Sequence, residues 1–137
     1  MRHRNIAFVV TDSNKARIVM WDPGANGYRA MHAVHDGPGS VAEGAPRHTG
    51  GRQDREVIRN RVRVEFVRVL TEHVRWFAAQ YGVEGVVLAA PARVLSPLKV
   101  ALKVGPPILG LVAKDLTRYN EHELRTWLIA AEQNVAL

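Results

Sequence analysis

Apolar residues near the start of this chain form short runs separated by turn-forming residues. The first run, residues 6–10, is wholly apolar and predicts a strand that is covered on both faces. Two dense turn signals follow, and they delimit further predicted strands at residues 16–21 and 28–35. The pattern therefore predicts three consecutive antiparallel strands.

Helical spacing begins near Arg55 and persists to about Tyr81. Apolar or aromatic side chains recur there at intervals of three and four: Ile58, Val62, Phe66, Val69, Leu70, His73 and Phe77. This spacing predicts one long amphipathic helix. The preceding residues, 36–54, hold five glycines and two prolines, and they predict a long flexible loop.

Two short apolar runs follow the long helix. Residues 86–90 and 108–112 have the composition of strands buried in a parallel sheet. Between them, Ser96 is predicted to cap a helix with Pro97 at its first position.

The last predicted helix opens with a capping box formed by Asn120 and Glu123. The full order is an antiparallel three-strand meander followed by helix, strand, helix, strand and helix. It predicts one α/β domain over residues 1–137, with a mixed five-stranded sheet and helices on its faces.

Composition and charge indicate the expected cellular location of the protein and the class of its binding partners. The 137 residues include no cysteine. The apolar run near the start is too short for a signal-peptide core, and no apolar run reaches the roughly 20 residues needed to span a bilayer. We therefore expect a cytoplasmic protein without membrane insertion. A net charge of +6 and a pI near 10.3 favour contact with polyanions such as nucleic acid.

Arginine dominates the charge of the long helix, with seven arginines against four acids between residues 52 and 75. One set repeats every four residues and flanks the apolar stripe: Arg55, Arg59 and Arg63. The other repeats every seven and faces away from it: Arg61, Arg68 and Arg75. The sets form either a track for a phosphate backbone or a solvated face partly paired with nearby acids.

Other chemistry has little support in the sequence. The stretch "HTGGRQ" matches no nucleotide-binding fingerprint, so no cofactor is predicted. His32 and His35 would point to opposite faces of one strand, so we predict no metal site with them and His48.

Four aspartates lie at or near predicted strand ends, where a two-metal nuclease would need clustered carboxylates: Asp12, Asp22, Asp36 and Asp115. Aspartate in turns also bonds nearby backbone N–H groups, which is the simpler interpretation. No arrangement for nucleophilic hydrolysis is recognisable.

Four stretches together resemble the bacterial family named for a protein required for attachment to host cells. They are "IAFVVTDSNKARIVMWD", the loop at Gly51-Arg52, "GVVLAAPARVLSPLKVAL" and "VAKDLTRYNEHELRTWL", and they cover nearly the whole chain. The most specific pieces are Leu88-Ala89-Ala90-Pro91 and Lys114-Asp115-Leu116-Thr117. Pro91, Lys114 and Asp115 are accordingly the family-motif residues.

The resemblance implies a ribonuclease-H-like architecture, because that family is similar to the middle domain of archaeal and eukaryotic release factors and of Pelota. In release factors a Gly-Gly-Gln loop assists hydrolysis of peptidyl-tRNA. The corresponding residues here read Gly50-Gly51-Arg52-Gln53, and the inserted arginine moves Gln53 out of that register. The resemblance thus implies ribosome engagement without peptide release.

Three hypotheses remain open. The first is a non-catalytic module that binds the ribosome or tRNA through Gly50, Gly51, Arg52, Gln53, Arg55, Arg59 and Arg63. The second is a protein-interaction or regulatory role in host attachment. The third, a peptidyl-tRNA hydrolase, would use Gln53 as its catalytic residue. The sequence leaves the oligomeric state open.

Overall fold

A computed structural model of the chain describes residues 5–35 and 52–134, with side chains from residue 63 onward in the first helix. The strands in these ranges are β1 (Ile6–Thr11), β2 (Lys15–Asp22), β3 (Gly27–His35), β4 (Gly85–Ala89) and β5 (Ile108–Val112). The helices are α1 (Arg52–Tyr81), α2 (Ala92–Ala101) and α3 (Glu121–Gln133). The predicted α/β class is confirmed.

The described strands form one open, mixed sheet in the order β3-β2-β1-β4-β5. β1 pairs antiparallel with β2 and parallel with β4, and the outer pairs are antiparallel β2–β3 and parallel β4–β5. β1 is therefore central, and every one of its residues is buried. This position explains why its sequence is apolar without alternation.

Two apolar clusters occupy opposite faces of the sheet. The first joins the sheet to α1 and α2, and includes Val9, Ile18, Leu70, Phe77, Leu88 and Leu98. The second joins the sheet to α3, and includes Phe8, Val19, Val87, Leu124 and Leu128. Because alternate strand positions serve the two faces, the mixed sheet carries helices on both sides, as predicted.

The predicted start of α2 at Ser96 and Pro97 was wrong. The helix begins at Ala92, and both of those residues lie inside it. The helix starts earlier because Val94 and Leu95 are buried in the core, so tertiary packing outweighs the local capping signal.

The long helix α1 also begins earlier than predicted, by three residues. Arg52 and Gln53 belong to its first turn and not to the preceding loop. Arginine and glutamine are good helix formers, and Asp54 and Glu56 place negative charge near the positive end of the helix dipole. The remainder of the predicted loop, residues 36–51, lies outside the described residues.

The carboxyl-terminal edge of the sheet, as we call it, is the edge at which β1, β3, β4 and β5 end. The opposite, amino-terminal edge holds the end of α1, where the Asn5 Nδ2 donates to the carbonyls of Tyr81 at 2.9 Å and Gly82 at 2.6 Å. A helix of 30 residues is about 45 Å long, and the nine residues of β3 span only about 30 Å. The excess length of α1 therefore lies at its beginning, towards the carboxyl-terminal edge.

Length alone does not make α1 a membrane helix. Its sequence carries eleven charged residues between Arg52 and Arg75, and none of the helices in the described ranges is both long enough and apolar enough to cross a bilayer.

Candidate functional site

The segment after β5, residues 113–120, crosses the carboxyl-terminal edge and is tied to the sheet by Arg17 of β2. The Arg17 Nη2 donates to the carbonyl oxygens of Leu116 at 3.4 Å, Thr117 at 3.3 Å and Tyr119 at 2.7 Å. Leu116 is itself buried in the cluster beneath α3. We call residues 113–120 the β5–α3 loop, and its position is fixed by one cation and one apolar anchor.

Asp115 organises the turn within this loop. Its Oδ1 accepts the backbone N–H of Thr117 at 2.9 Å and the Thr117 hydroxyl at 2.5 Å. Partial burial raises the pKa of Asp115, but these donors together with the charges of Arg118 and Lys15 outweigh it and hold the pKa below its ordinary value. The carboxylate is therefore a turn-forming anion with two cations nearby.

Lys114 and Arg118 extend from the same loop into solvent. The Lys114 Nζ lies 4.4 Å from the centroid of the Trp127 ring on α3, a cation–π contact that holds the ammonium group at the surface. Arg118 is exposed. The loop thus presents two cations outward while Leu116 and Asp115 hold its backbone.

The third family-motif residue, Pro91, also lies at this edge. It occupies the N-cap position of α2, and its carbonyl accepts the N–H groups of Val94 and Leu95 at 2.9 Å each. The sequence motif residues Pro91, Lys114 and Asp115 are therefore brought to one edge by the parallel pairing of β4 and β5.

The acidic side chains of residues 5–35 and 63–134 do not gather into a nuclease-like centre. Asp12 is occupied by the β1–β2 turn, where its Oδ1 accepts the N–H groups of Asn14 and Lys15 at 2.8 Å each. Asp22 lies at the far end of β2 and pairs with Arg29 at 3.0 Å. Among the residues described, no three potential ligands are close enough to hold a metal ion. Asp36 lies outside the described residues.

The described cations at the carboxyl-terminal edge are not paired with described carboxylates. Within residues 5–35 and 63–134, Lys15, Arg17, Lys114 and Arg118 form no ion pair with a carboxylate, although Asp115 lies near two of them. Elsewhere on the molecule, Arg68 is paired with Glu65 and with Glu72. Positive charge is therefore left available at this edge.

The arginines of α1 have different roles from one another. Arg68 is held by its acidic neighbours, and Arg75 donates from Nε to the Val104 carbonyl at 2.7 Å and from Nη2 to the Ala101 carbonyl at 2.9 Å. Those two predicted outward-facing cations therefore brace α1 and its link to α2.

Among the predicted RNA-contacting residues, Arg63 is the one whose side chain is described. Arg63 is half-buried, and Arg55 and Arg59 occupy helical positions in α1. The side chains of residues 52–62 lie outside the described part of the structure, as do Gly50 and Gly51. Gln53 is a helix residue, so the backbone freedom that a hydrolase would require has to come from the two glycines.

His32 and His35 point to opposite faces of β3, as predicted. The His32 Nε2 and the His73 Nδ1 of α1 are 2.8 Å apart, and the two rings stack with centroids 5.0 Å apart. Burial and the nearby His73 lower the pKa of His32. His35 instead lies across from Lys15 on the other face. His48 lies outside the described residues.

Sequence reasoning did not single out Lys15, Arg17 or Arg118. The available signal was weak: Lys15 and Arg17 alternate with Ala16 and Ile18 at the start of β2, which is the pattern of a strand with one polar face. That pattern does not reveal the β5–α3 loop about 100 positions later as the partner of Arg17.

A comparison with curated proteins finds no match. The model of a known protein family, described as "Protein required for attachment to host cells", matches residues 7–128 and thus spans the sheet, α1, α2 and most of α3. The matched region includes the family-motif residues and Arg17. The chain therefore belongs to the family of proteins required for attachment to host cells.

Proposed function

We propose that this host-attachment-family protein is a non-catalytic RNA-binding module that contacts the ribosome or tRNA through the carboxyl-terminal edge of its sheet. The observation that carries the proposal is a group of cations at this edge that form no ion pair with the carboxylates of residues 5–35 and 63–134: Lys15, Arg17, Lys114 and Arg118. Phosphate oxygens are the partners such cations lack, and releasing counterions from RNA supplies the binding free energy.

The position of the glycine-rich segment supports the proposal. It connects His35, the last residue of β3, to Arg52, the first of α1, so both of its ends belong to elements that reach the carboxyl-terminal edge. In this proposal Gly50, Gly51, Arg52 and Gln53 approach RNA, and Arg55, Arg59 and Arg63 hold phosphates along α1.

The ribonuclease-H-like fold is part of the same proposal. A central β1 with antiparallel partners on one side and parallel partners on the other, flanked by helices, supports a ribonuclease-H-like fold. A relationship to the middle domains of release factors and Pelota is consistent with that arrangement. Because one fold supports many functions, the charge distribution carries more weight than the fold.

The test is binding to purified ribosomes and to total tRNA across a salt series. The double variant Lys114→Glu/Arg118→Glu should lose at least about tenfold in affinity, and its salt dependence should be shallower because fewer counterions are released. The triple variant Arg55→Glu/Arg59→Glu/Arg63→Glu should behave similarly if α1 takes part.

A matched control separates local contacts from net charge. Lys99 and Lys103 are exposed near the end of α2, away from the carboxyl-terminal edge, and Lys99→Glu/Lys103→Glu changes the net charge by the same amount as the first double variant. It should retain most of the binding. Equal loss in both double variants would show that binding follows total charge, and salt-independent binding would refute the proposal.

A protein-interaction role in host attachment is the second candidate. It is favoured by β5, the outermost strand of the described sheet on its parallel side. Among the described strands β5 pairs only with β4, it carries no charged residue, and Leu111 is 44% exposed. Exposed sheet edges accept strands from partners. A pull-down that recovers one protein, survives nuclease treatment and fails with Leu111→Lys would support this role.

A further inference from the structure

An open cleft of about 280 Å³ lies between the sheet and the β5–α3 loop, on the face that α3 covers elsewhere. Its lining residues come from β2, β3 and the loop: Lys15, Ala16, Arg17, Ala33, His35 and Thr117. The volume is near the lower end of small-ligand sites, which begin at about 300 Å³. The cleft is thus slightly smaller than the usual small-ligand site, and it is built from three separate segments.

Strand register places the polar groups of the cleft side by side. Lys15 lies directly across from His35 in the β2–β3 ladder, and Arg17 lies across from Ala33. Residues at alternate positions share a face, so Lys15 and Arg17 extend from β2 in the same direction. The small side chain of Ala33 leaves space beside the guanidinium group of Arg17.

Arg17 is a fixed cation. Its Nη2 is held by three carbonyl oxygens of the β5–α3 loop. Those carbonyls orient the guanidinium group without cancelling its charge, and its Nε and Nη1 make no hydrogen bond to any residue of the described ranges. A preorganised donor with remaining N–H groups is well suited to an anion, since little side-chain entropy is lost on binding.

Asp115, the acid of the β5–α3 loop, does not neutralise the cleft. Asp115 lies near Lys15, but the Asp115 Oδ1 is already occupied by the N–H and hydroxyl of Thr117. Arg118, on the same loop, adds a further positive charge close to Asp115. Among the described residues, the cleft and the adjoining β5–α3 loop therefore carry more positive than negative charge.

We propose that this cleft binds a phosphomonoester group, with Arg17 and Lys15 contacting its oxygens and His35 donating from its imidazole ring. A phosphomonoester carries close to two negative charges at neutral pH and three acceptor oxygens, which matches several donors from different directions. A phosphodiester inside a chain carries only one charge.

Two sources supply such a group, a free nucleotide and the terminal phosphate of an RNA. The second source rests on the proposed RNA-binding function, because the cleft then serves as the end-recognition site of the same basic edge. The first source does not depend on that function. The experiment therefore needs one probe for each source.

The free-nucleotide arm titrates the protein with adenosine 5′-monophosphate and with adenosine, followed by calorimetry. We expect the nucleotide to bind and adenosine to bind at least about tenfold more weakly, since charge-assisted hydrogen bonds are lost. Lys15→Gln is the main variant, because the Lys15 side chain is exposed and makes no hydrogen bond or ion pair to a described residue, and His35→Gln is the second. Both should abolish the preference, whereas the control Lys99→Gln should keep it.

The RNA arm compares one short single-stranded RNA with a 5′-phosphate, a 3′-phosphate or hydroxyl groups at both ends. A preference of at least about tenfold for a phosphorylated end, lost in Lys15→Gln, would support end recognition. Equal binding of all three RNAs, without binding of the nucleotide, would overturn the cleft proposal and leave RNA binding intact.

The reverse outcome is equally informative. Nucleotide binding that depends on Lys15 and His35, in a protein that binds no RNA, would support the cleft and refute the proposed function. Nucleotide binding that persists in both variants would place the anion elsewhere and overturn the cleft proposal.

Discussion

The amino-terminal and carboxyl-terminal edges of the sheet differ in how their polar side chains are paired. At the amino-terminal edge the Asn5 N–H donates to the Glu84 carboxylate at 2.9 Å, its side chain donates to two helix-end carbonyls, and the Glu84 N–H donates to the Asn5 carbonyl at 2.8 Å. At the carboxyl-terminal edge, by contrast, Lys114 and Arg118 make no ion pair within the described ranges.

This difference indicates a division of roles. The amino-terminal edge satisfies its own hydrogen bonds and so holds α1, β1 and β4 together. The carboxyl-terminal edge keeps like charges near one another, an arrangement that costs free energy unless an anion binds. Variants at the first edge should change stability and leave the proposed RNA binding unchanged, and variants at the second should mainly change that binding.

The largest expected stability effect comes from Gly85, the first residue of β4. A Cβ atom there would lie 2.4 Å from the Leu109 Cδ1 and 2.5 Å from its Cγ. Gly85→Val should therefore lower the free energy of unfolding by about 2–3 kcal/mol through overpacking. Urea denaturation followed by circular dichroism measures it.

Gly110 provides the matched control for that variant. A Cβ at Gly110 would lie 3.6 Å from both Val87 methyl groups, an ordinary contact distance. Gly110→Ala should change the free energy of unfolding by less than about 1 kcal/mol. Similar losses in the two variants would show that contact with Leu109 is not the cause.

Asn5→Ala should have the next largest effect. It removes two side-chain hydrogen bonds to the carbonyls of Tyr81 and Gly82, and we expect the free energy of unfolding to fall by about 1–2 kcal/mol. Asn14→Ala is the control, because only the backbone of Asn14 takes part in the β1–β2 turn. Tighter or weaker tRNA binding by Asn5→Ala would contradict the inference that the amino-terminal edge contributes to stability and not to binding.

Gly82→Ala should cost somewhat less. Gly82 has φ of 59°, the left-handed conformation that ends α1, and open space surrounds the position of its missing Cβ. The loss should be about 1 kcal/mol and should come from backbone strain alone. Gly82→Asn should recover part of it in thermal unfolding, because asparagine tolerates this conformation; a larger loss for asparagine would contradict the explanation.

Asp115→Asn should give the smallest loss of stability. It should also raise the affinity for tRNA, because it removes a negative charge. The pKa of Asp115 is lowered in the folded protein, so its stabilising contribution is present above the unfolded pKa, near 3.8, and is lost as pH falls through the folded pKa. Acid unfolding of the variant should therefore lack this component. Its affinity for tRNA should rise about twofold to fivefold, as expected for one screened charge worth roughly 0.5–1 kcal/mol. Weaker binding would contradict the proposed role of positive charge.

The sequence by itself determined the elements whose signals are local. The wholly apolar run at β1 predicted a buried strand, and Asn120 with Glu123 forms the predicted capping box, with the Glu123 N–H donating to the Asn120 Oδ1 at 2.8 Å. Such signals involve residues a few positions apart, so they can be recognised without knowing what packs against them.

Only the tertiary structure decided the start of α2 and the roles of individual cations. Val94 and Leu95 enter a core built by distant elements, and that burial moved the helix start away from Ser96. Arg17 and the β5–α3 loop meet across about 100 positions of sequence, and Lys15 meets His35 only through the β2–β3 register. Sheet pairing and burial are non-local, so a single sequence did not reveal which cations brace the fold and which remain available for an anion.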